Sequence, residues 1–212
     1  MPTVLLCCLC LCLACAAVAG AVFVFGRIRR NGDLASLNLT LTMRLEPDAQ
    51  KSVANIIHRC LEDNRLGRLA LEEGSGYMTN AHGEITECDF DIFSDRVNEA
   101  KITAIQWKLN ELPFIPKGSR LRWRERASDY PVGTAEMLAI YLTGHHPDID
   151  GLTRKLCDAL KNDGLYFFSS WSGETKTALY FYGRNCGAMK RTVSEVLNSE
   201  GPHVKYTLTQ LA

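Results

Sequence analysis

Residues 164–183 constrain the fold more than any other stretch of the sequence, because two aromatic runs flank a short polar break at residues 172–174. Glycines close the stretch at both ends. Strand-like runs around a polar turn of this kind predict an antiparallel β-hairpin. One helical pattern precedes the hairpin over residues 148–161 and another follows it over residues 185–198, each flanked by one more strand-like run. The order of elements is therefore β-α-β-β-α-β.

A weaker copy of the same order lies upstream, over residues 37–126. It opens with an unbroken alternation that predicts a half-buried strand. The apolar side chains of that strand share one face: Leu37, Leu39, Leu41, Met43 and Leu45. A short linker at residues 130–133 leads to the second unit, residues 135–212. In element order each unit resembles the ferredoxin-like arrangement, which implies an antiparallel sheet with both helices on one face. The predicted fold class is α+β, with two tandem βαββαβ units preceded by an N-terminal hydrophobic helix.

Residues 4–25 form an uncharged apolar run of about the length needed to cross ~30 Å of hydrocarbon. No side-chain cation precedes the run, whereas Arg27, Arg29 and Arg30 follow it closely. The positive-inside rule then predicts a single-pass membrane anchor within residues 1–30, with the C-terminal domain in the cytoplasm. The alternatives are a cleaved signal on a secreted protein, a lipoprotein-like signal ending at Cys15 on a lipid-anchored protein, and a wrongly assigned start codon.

A basic row on the last strand of the first unit is the second candidate feature. Arg120, Arg122 and Arg124 share one face of that strand. Such a row can contact nucleic acid or acidic lipid, but charge on a terminal strand is also a common protection against sheet-to-sheet aggregation. The chain carries 24 Lys and Arg against 24 Asp and Glu, so no net field attracts nucleic acid. We therefore predict a protective edge strand and no nucleic-acid partner.

The turn before the helix of residues 148–161 gathers four polar side chains: His145, His146, Asp148 and Asp150. Two histidines and two acids within six residues form the nearest approach to a metal or catalytic constellation. Asp148, however, stands where a helix N-cap is expected, and adjacent histidine side chains diverge. The cysteines outside the apolar run are scattered without zinc spacing. We predict no metal, no cofactor and no catalytic residue.

The helix-free faces of the two predicted sheets differ sharply. The face in the first unit is charged, whereas the face in the second is apolar and aromatic. An exposed aromatic face usually marks a contact surface. The candidate binding residues are Tyr141, Tyr166, Phe168, Trp171, Tyr180 and Tyr182. Three occupants fit this face: the first unit, a second copy of the chain, or a separate protein partner.

These features together favour a non-enzymatic binding or regulatory protein held at the membrane by residues 4–25. One alternative is a small hydrolase or metal-dependent enzyme with its site at the His145–His146 turn. Another is an immunity-type inhibitor of a toxin or enzyme, which rests on analogy with the fold alone.

Overall fold

The computed structural model describes residues 35–62, 66–67, 69–94, 97–144, 148–201 and 204–212. The predicted anchor over residues 4–25 lies outside these ranges, so it stays a prediction. In the part of the chain that the structure describes, no helix combines the length and the apolar character needed to cross a membrane. Residues 36–212 form one compact unit.

The first half of this unit contains a five-stranded sheet with the strand order β2-β3-β1-β4-β5. Two helices follow β1 and β3 in the chain. The elements are β1 (Ala35–Leu41), α1 (Pro47–Leu61), β2 (Leu69–Thr79), β3 (Ile85–Ser94), α2 (Glu99–Glu111), β4 (Ser119–Trp123) and β5 (Ser128–Val132).

The second half contains a four-stranded sheet with the order β7-β8-β6-β9. Its strands pair antiparallel throughout, and β7 and β8 form the predicted aromatic hairpin. The elements are β6 (Glu136–Thr143), α3 (Ile149–Leu160), β7 (Leu165–Ser172), β8 (Lys176–Gly183), α4 (Cys186–Ser199) and β9 (Lys205–Gln210). The mixed α+β fold with antiparallel sheets that the sequence predicts is confirmed.

The alternation of apolar residues along β1 and β3 determines which sheet face forms the core of the first half. The five apolar side chains that alternate from Leu37 to Leu45 are all fully buried. From the adjacent strand β3, Cys88, Phe90 and Ile92 join them. Residues at every second position of a strand point to one face, so the charged residues between them lie on the opposite face of the sheet.

Strand β5 departs from the sequence-based expectation, which placed a linker at residues 130–133. The strand pairs with β4 along its full length, and Pro131 lies opposite Arg120. Proline lacks a backbone donor and is tolerated on an edge strand. Helix α2 holds β5 in place, because Gln106 Nε2 donates to the Pro131 carbonyl at 2.7 Å and the Tyr130 hydroxyl donates to Glu99 at 2.9 Å. Strand β4 is therefore an inner strand, and β5 lies between the predicted unit boundaries at residues 126 and 135.

The second sheet is covered on both faces. Its helix side forms a core of its own, in which Leu138, Ile140 and Phe181 pack against α3 and α4. Its other face, which includes Tyr180 and Tyr182, belongs to the same core as the strands of the first half. This double burial explains why β6 is apolar on both faces.

A tight junction connects β5 to β6. The backbone amides of Thr134 and Ala135 donate to the Ile115 carbonyl at 3.0 and 2.9 Å. Gly133 begins this turn with a φ of +92°, and its amide donates to Asn110 Oδ1 at 2.7 Å. The junction fixes where the second sheet starts relative to the first half.

Candidate functional site

A cleft of about 740 Å³ opens between the β2–β3 turn of the first half and the β7–β8 hairpin of the second half. Its size falls within the range of small-molecule sites, roughly 300–1,000 Å³. The lining residues are Asn80, His82, Glu84, Tyr141, Trp171, Ser172, Gly173, Glu174, Thr175 and Lys176.

The β2–β3 turn presents Glu84 to this cleft. Asn80 organises the turn, because its Oδ1 accepts the backbone amides of His82 at 2.9 Å and Glu84 at 3.2 Å. Asparagine side chains favour turns through local hydrogen bonds of this kind. Gly83 takes a φ of +79° and closes the turn. The Asn80 side-chain amide also donates to Glu84 Oε2 at 2.8 Å, which fixes the carboxylate.

The Glu84 carboxylate is buried and receives hydroxyl donors from the second half. Tyr180 donates to Glu84 Oε1 at 2.7 Å and Tyr141 donates to the same oxygen at 3.2 Å. Glu84 is only 5% exposed, and a buried carboxylate requires partners of this kind. One side chain of the first half is therefore held by two side chains of the second.

Arg44 lies beside this group and forms a long ion pair with it. Its Nη1 donates to the Ile85 carbonyl at 3.2 Å and stands 3.7 Å from Glu84 Oε1. The Arg44 Nε is buried and has no hydrogen-bond partner among the described residues. The Arg44 backbone amide donates to the Tyr182 hydroxyl at 2.9 Å, which adds a second polar contact between the halves.

Burial dominates the electrostatics of the three tyrosines. It raises the pKa of Tyr141 and of Tyr180, and the adjacent Glu84 carboxylate raises both further because a phenolate would be repelled by it. Burial also raises the pKa of Tyr182, against the opposing effect of its hydrogen bonds with Ser169 and with the Arg44 amide. All three hydroxyls are therefore protonated donors or acceptors at neutral pH.

Aromatic rings form the walls of the cleft. Tyr141 meets Tyr180 edge to face, with ring centroids 6.5 Å apart. Trp171 is partly buried and packs against the core that the two halves share. A Cβ on Gly173 would collide with the Trp171 indole, so glycine lets the hairpin turn cross over the ring. The hairpin tip then adds Glu174 and Lys176 to the rim.

The predicted aromatic contact face is an internal surface. Tyr180 and Tyr182 are fully buried, and Tyr141 is half-buried. Of the three occupants that the sequence left open, the first half is the one that covers them. The expectation of an exposed face is wrong because the sequence alone does not reveal how the halves pack.

Two other members of that predicted face lie elsewhere. A register shift between Leu165 and Phe167 alters the alternation of β7. The ring centroids of Phe167 and Tyr182 are therefore 5.6 Å apart, whereas Phe168 packs on the helix side of the sheet against Phe181. Tyr166 is exposed, and its hydroxyl accepts from Arg184 at 3.1 Å.

The basic row is neutralised within the first sheet. Arg120 pairs with Glu87 at 3.3 Å, and Arg122 pairs with Asp129 on β5 at 3.6 Å. Arg124 pairs with Asp91 at 2.5 Å. The row was expected on an edge strand, but β5 covers β4, so these arginines form cross-strand pairs instead.

The His145–His146 turn is only partly described. Both histidines lie outside the described residues. Asp148 Oδ1 accepts the Gly151 amide at 2.9 Å and caps α3, and Asp150 lies in the first turn of that helix. Within the described ranges, no group of three or more His, Cys, Asp or Glu side chains is placed to hold a metal ion.

The four thiols of the described chain are poorly suited to nucleophilic chemistry. Burial raises the pKa of Cys88 to about 12, and it also raises the pKa of Cys60, Cys157 and Cys186. A reactive thiol needs the opposite shift, because the thiolate is the nucleophile. The arrangement at the cleft is suited to binding by shape, hydrogen bonds and charge.

Sequence reasoning missed Glu84 and its turn as parts of a site. Nothing in the spacing of the Asn80–Gly83 stretch indicates that two tyrosines some 57 and 96 residues downstream would contact Glu84. A lone glutamate at the end of a turn is a common surface residue. Only the packing of the two halves distinguishes Glu84 from an ordinary surface glutamate.

No family model matches the chain, and no curated protein matches it. Among solved structures, an unknown protein from Galdieria sulphuraria is 11% identical, with 84% of this chain and 99% of that chain covered and a TM-score of 0.29. A candidate glycine cleavage system transcriptional repressor is 13% identical, with 84% and 98% covered and a TM-score of 0.30. The regulatory subunit of aspartate kinase from Thermus thermophilus is 13% identical, with 77% and 93% covered and a TM-score of 0.28. Likeness at this level carries no argument about function.

Proposed function

We propose that this protein is a non-enzymatic binding protein with a regulatory role, whose small-molecule ligand occupies the cleft beside Glu84. The observation that carries the proposal is the position of the cleft. Its lining comes from the β2–β3 turn of one half and the β7–β8 hairpin of the other. A ligand bound there contacts both halves, so its binding free energy also stabilises their contact.

We also propose that each half is a βαββαβ unit of ferredoxin-like type, as the order of elements in the sequence suggests. The sheet orders support it. Leaving β5 aside, each sheet has its second and third strands adjacent, followed by its first and fourth. The proposal also includes anchoring by residues 4–25, which rests on the length and apolar character of that run.

The enzymatic alternative has less support in the described residues. The raised thiol pKa values point away from nucleophilic catalysis. Asp148, the member of the polar turn with a described side chain contact, caps a helix. The immunity-type inhibitor stays a prediction from fold analogy.

Fluorine NMR on the full chain tests the binding function. The three tryptophans are placed usefully: Trp171 lines the cleft, Trp107 is exposed on α2, and Trp123 is buried in the first half. With 5-fluorotryptophan incorporated and the chain kept in mild detergent, ligands from a diverse fragment set should shift the Trp171 resonance and leave the other two unchanged. A Trp171→Phe variant assigns the resonance.

The contrary result is equally clear. If a broad fragment set leaves the Trp171 resonance unmoved, or shifts all three resonances equally, the cleft is not a selective site and the proposal fails. The same preparation tests the anchor, because a chain held by residues 4–25 stays with the membrane fraction after a high-salt wash and is released by detergent.

A further inference from the structure

The Glu84 carboxylate accepts its described hydrogen bonds from uncharged groups and is paired with the Arg44 cation at 3.7 Å. Its described donors are two phenols on Oε1 and one amide on Oε2, all uncharged. A carboxylate offers about four acceptor positions, so Oε2 retains one beyond its contact with Asn80. The cation Arg44 donates to the Ile85 carbonyl instead and stays 3.7 Å from Oε1. Among the described residues, Glu84 thus has one cationic neighbour, Arg44, in a long ion pair, and its hydrogen-bond donors are uncharged.

The remaining lining adds one acidic and one basic side chain, which balance, and aromatic surface. The charged side chains of the described lining are Glu84, Glu174 and Lys176, and Arg44, which is paired with Glu84 at 3.7 Å, is not among the lining residues. Tyr141 and Trp171 line the same space. Aromatic faces attract cations through the electrostatic field of the ring. Charge and ring chemistry therefore favour the same ligand class.

We propose that the cleft binds an organic cation, consisting of an ammonium group on an apolar body. This inference rests on the proposed binding function and specifies its ligand class. The ammonium group lies against Glu84 Oε2 and completes the hydrogen bonding of that oxygen. The apolar body packs against the Trp171 indole, beneath the turn at Gly173.

A matched ligand series tests the charge requirement on the wild-type full chain. The probes are 2-phenylethylamine, 2-phenylethanol and phenylacetate, which share a ring and differ in charge at neutral pH. Isothermal titration should give the amine an affinity at least about tenfold higher than that of the alcohol, since tenfold corresponds to one modest charged interaction. Phenylacetate should bind more weakly than the alcohol.

Two variants locate the effect. Glu84→Gln should reduce the preference of the protein for the amine over the alcohol to about threefold or less, because it removes the charge and retains the shape. Trp171→Leu should weaken amine binding about tenfold, whereas Trp107→Leu, on the exposed surface of α2, should leave it unchanged. If Glu84→Gln does not fold, the ligand series on the wild type and the comparison of Trp171→Leu with Trp107→Leu still test whether the cleft selects a cation.

Each other outcome overturns the inference. Equal or tighter binding of the alcohol or of phenylacetate would show that the cleft binds ligands without selecting a cation, and the proposed binding function would stand. Absence of binding by all three probes at about 10 mM, together with a fragment set that moves Trp171, would likewise overturn the cation and leave the binding function intact. Failure of the fragment set as well would remove both.

Discussion

Glu84 is one of the residues through which the two halves share polar contacts. It belongs to the β2–β3 turn, yet two of its hydrogen-bond donors, Tyr141 and Tyr180, come from the second sheet. Hydrogen bonds to a charged group are stronger than those between neutral groups, and burial raises the cost of losing one. The residue therefore matters for stability whether or not a ligand is present.

Replacing Tyr180 with Phe removes the shorter of these hydroxyl donors and keeps the ring. We expect the free energy of unfolding to fall by about 1–3 kcal/mol, because a buried carboxylate loses a donor. Urea denaturation followed by circular dichroism measures this. The matched control is Tyr166→Phe, which removes an exposed hydroxyl and should change stability by no more than about 0.5 kcal/mol. Similar losses in both variants would contradict the role given to Glu84.

At the level of single residues, the sequence predicts which side chains share a strand face better than it predicts what covers that face. Tyr180 and Tyr182 lie on one face of β8, as their spacing indicates. Alternation is a local property of the chain, so it can be read from the sequence. The partner of Tyr180 depends on how a turn 96 residues away packs, and no local pattern carries that information.

At the level of elements, two irregularities separate expectation from structure. The register shift in β7 places Phe167, and not Phe168, beside Tyr182. Strand β5 extends the first sheet where Pro131 suggested a linker. Bulges and proline-containing edge strands are weakly encoded in periodicity, because each interrupts the alternation by which strands are recognised.

The junction between β5 and β6 gives a sharp test at this level. Gly133→Ala places a methyl group against the Pro116 carbonyl in a left-handed conformation, with the Ile115 carbonyl oxygen 2.8 Å away. We expect it to cost at least about 2 kcal/mol more than Gly144→Ala. Gly144 has the same φ of +92°, but no atom of the described residues lies within 4 Å of a Cβ added there. Urea denaturation of both variants measures the difference, and equal losses would mean that the junction relaxes.

At the level of the whole molecule, the buried tyrosines make stability depend on alkaline pH. Burial raises the pKa of Tyr141, Tyr180 and Tyr182 in the folded protein above the ordinary value of about 10. Below about pH 10 the folded and the unfolded protein both keep the tyrosine hydroxyl protons, and the stabilisation is fully present. Above it the unfolded chain releases them first, so the free energy of unfolding falls as pH rises toward the folded pKa values.

We therefore expect a loss of stability from about pH 10 upward, at up to about 1.4 kcal/mol per pH unit for each buried tyrosine. Cys88, whose pKa burial raises to about 12, adds to the loss from the ordinary thiol value of about 8.5. Urea denaturation at several pH values measures the slope. Tyr182→Phe should make the slope shallower by about one proton, whereas Tyr77→Phe at the surface should not. A slope unaffected by Tyr182→Phe would refute this account.

The element order of residues 37–212 follows well from the sequence, because strong strand alternation and helical stripes recur twice. The arrangement of the two sheets does not follow, since it depends on which apolar face covers which. The aromatic face of β8 was recognised as a surface that needs an occupant, and that occupant is the first half of the same chain.

The shared core has a consequence for how such a chain can be divided. Cutting the chain at the β5–β6 junction would expose the rings of Tyr180 and Tyr182 on one fragment. On the other fragment it would expose the apolar side chains of the first half that share a core with these rings. Each fragment would then carry a water-facing apolar patch prone to association. A recombination event between genes or a laboratory truncation therefore has to keep residues 36–212 together in one polypeptide.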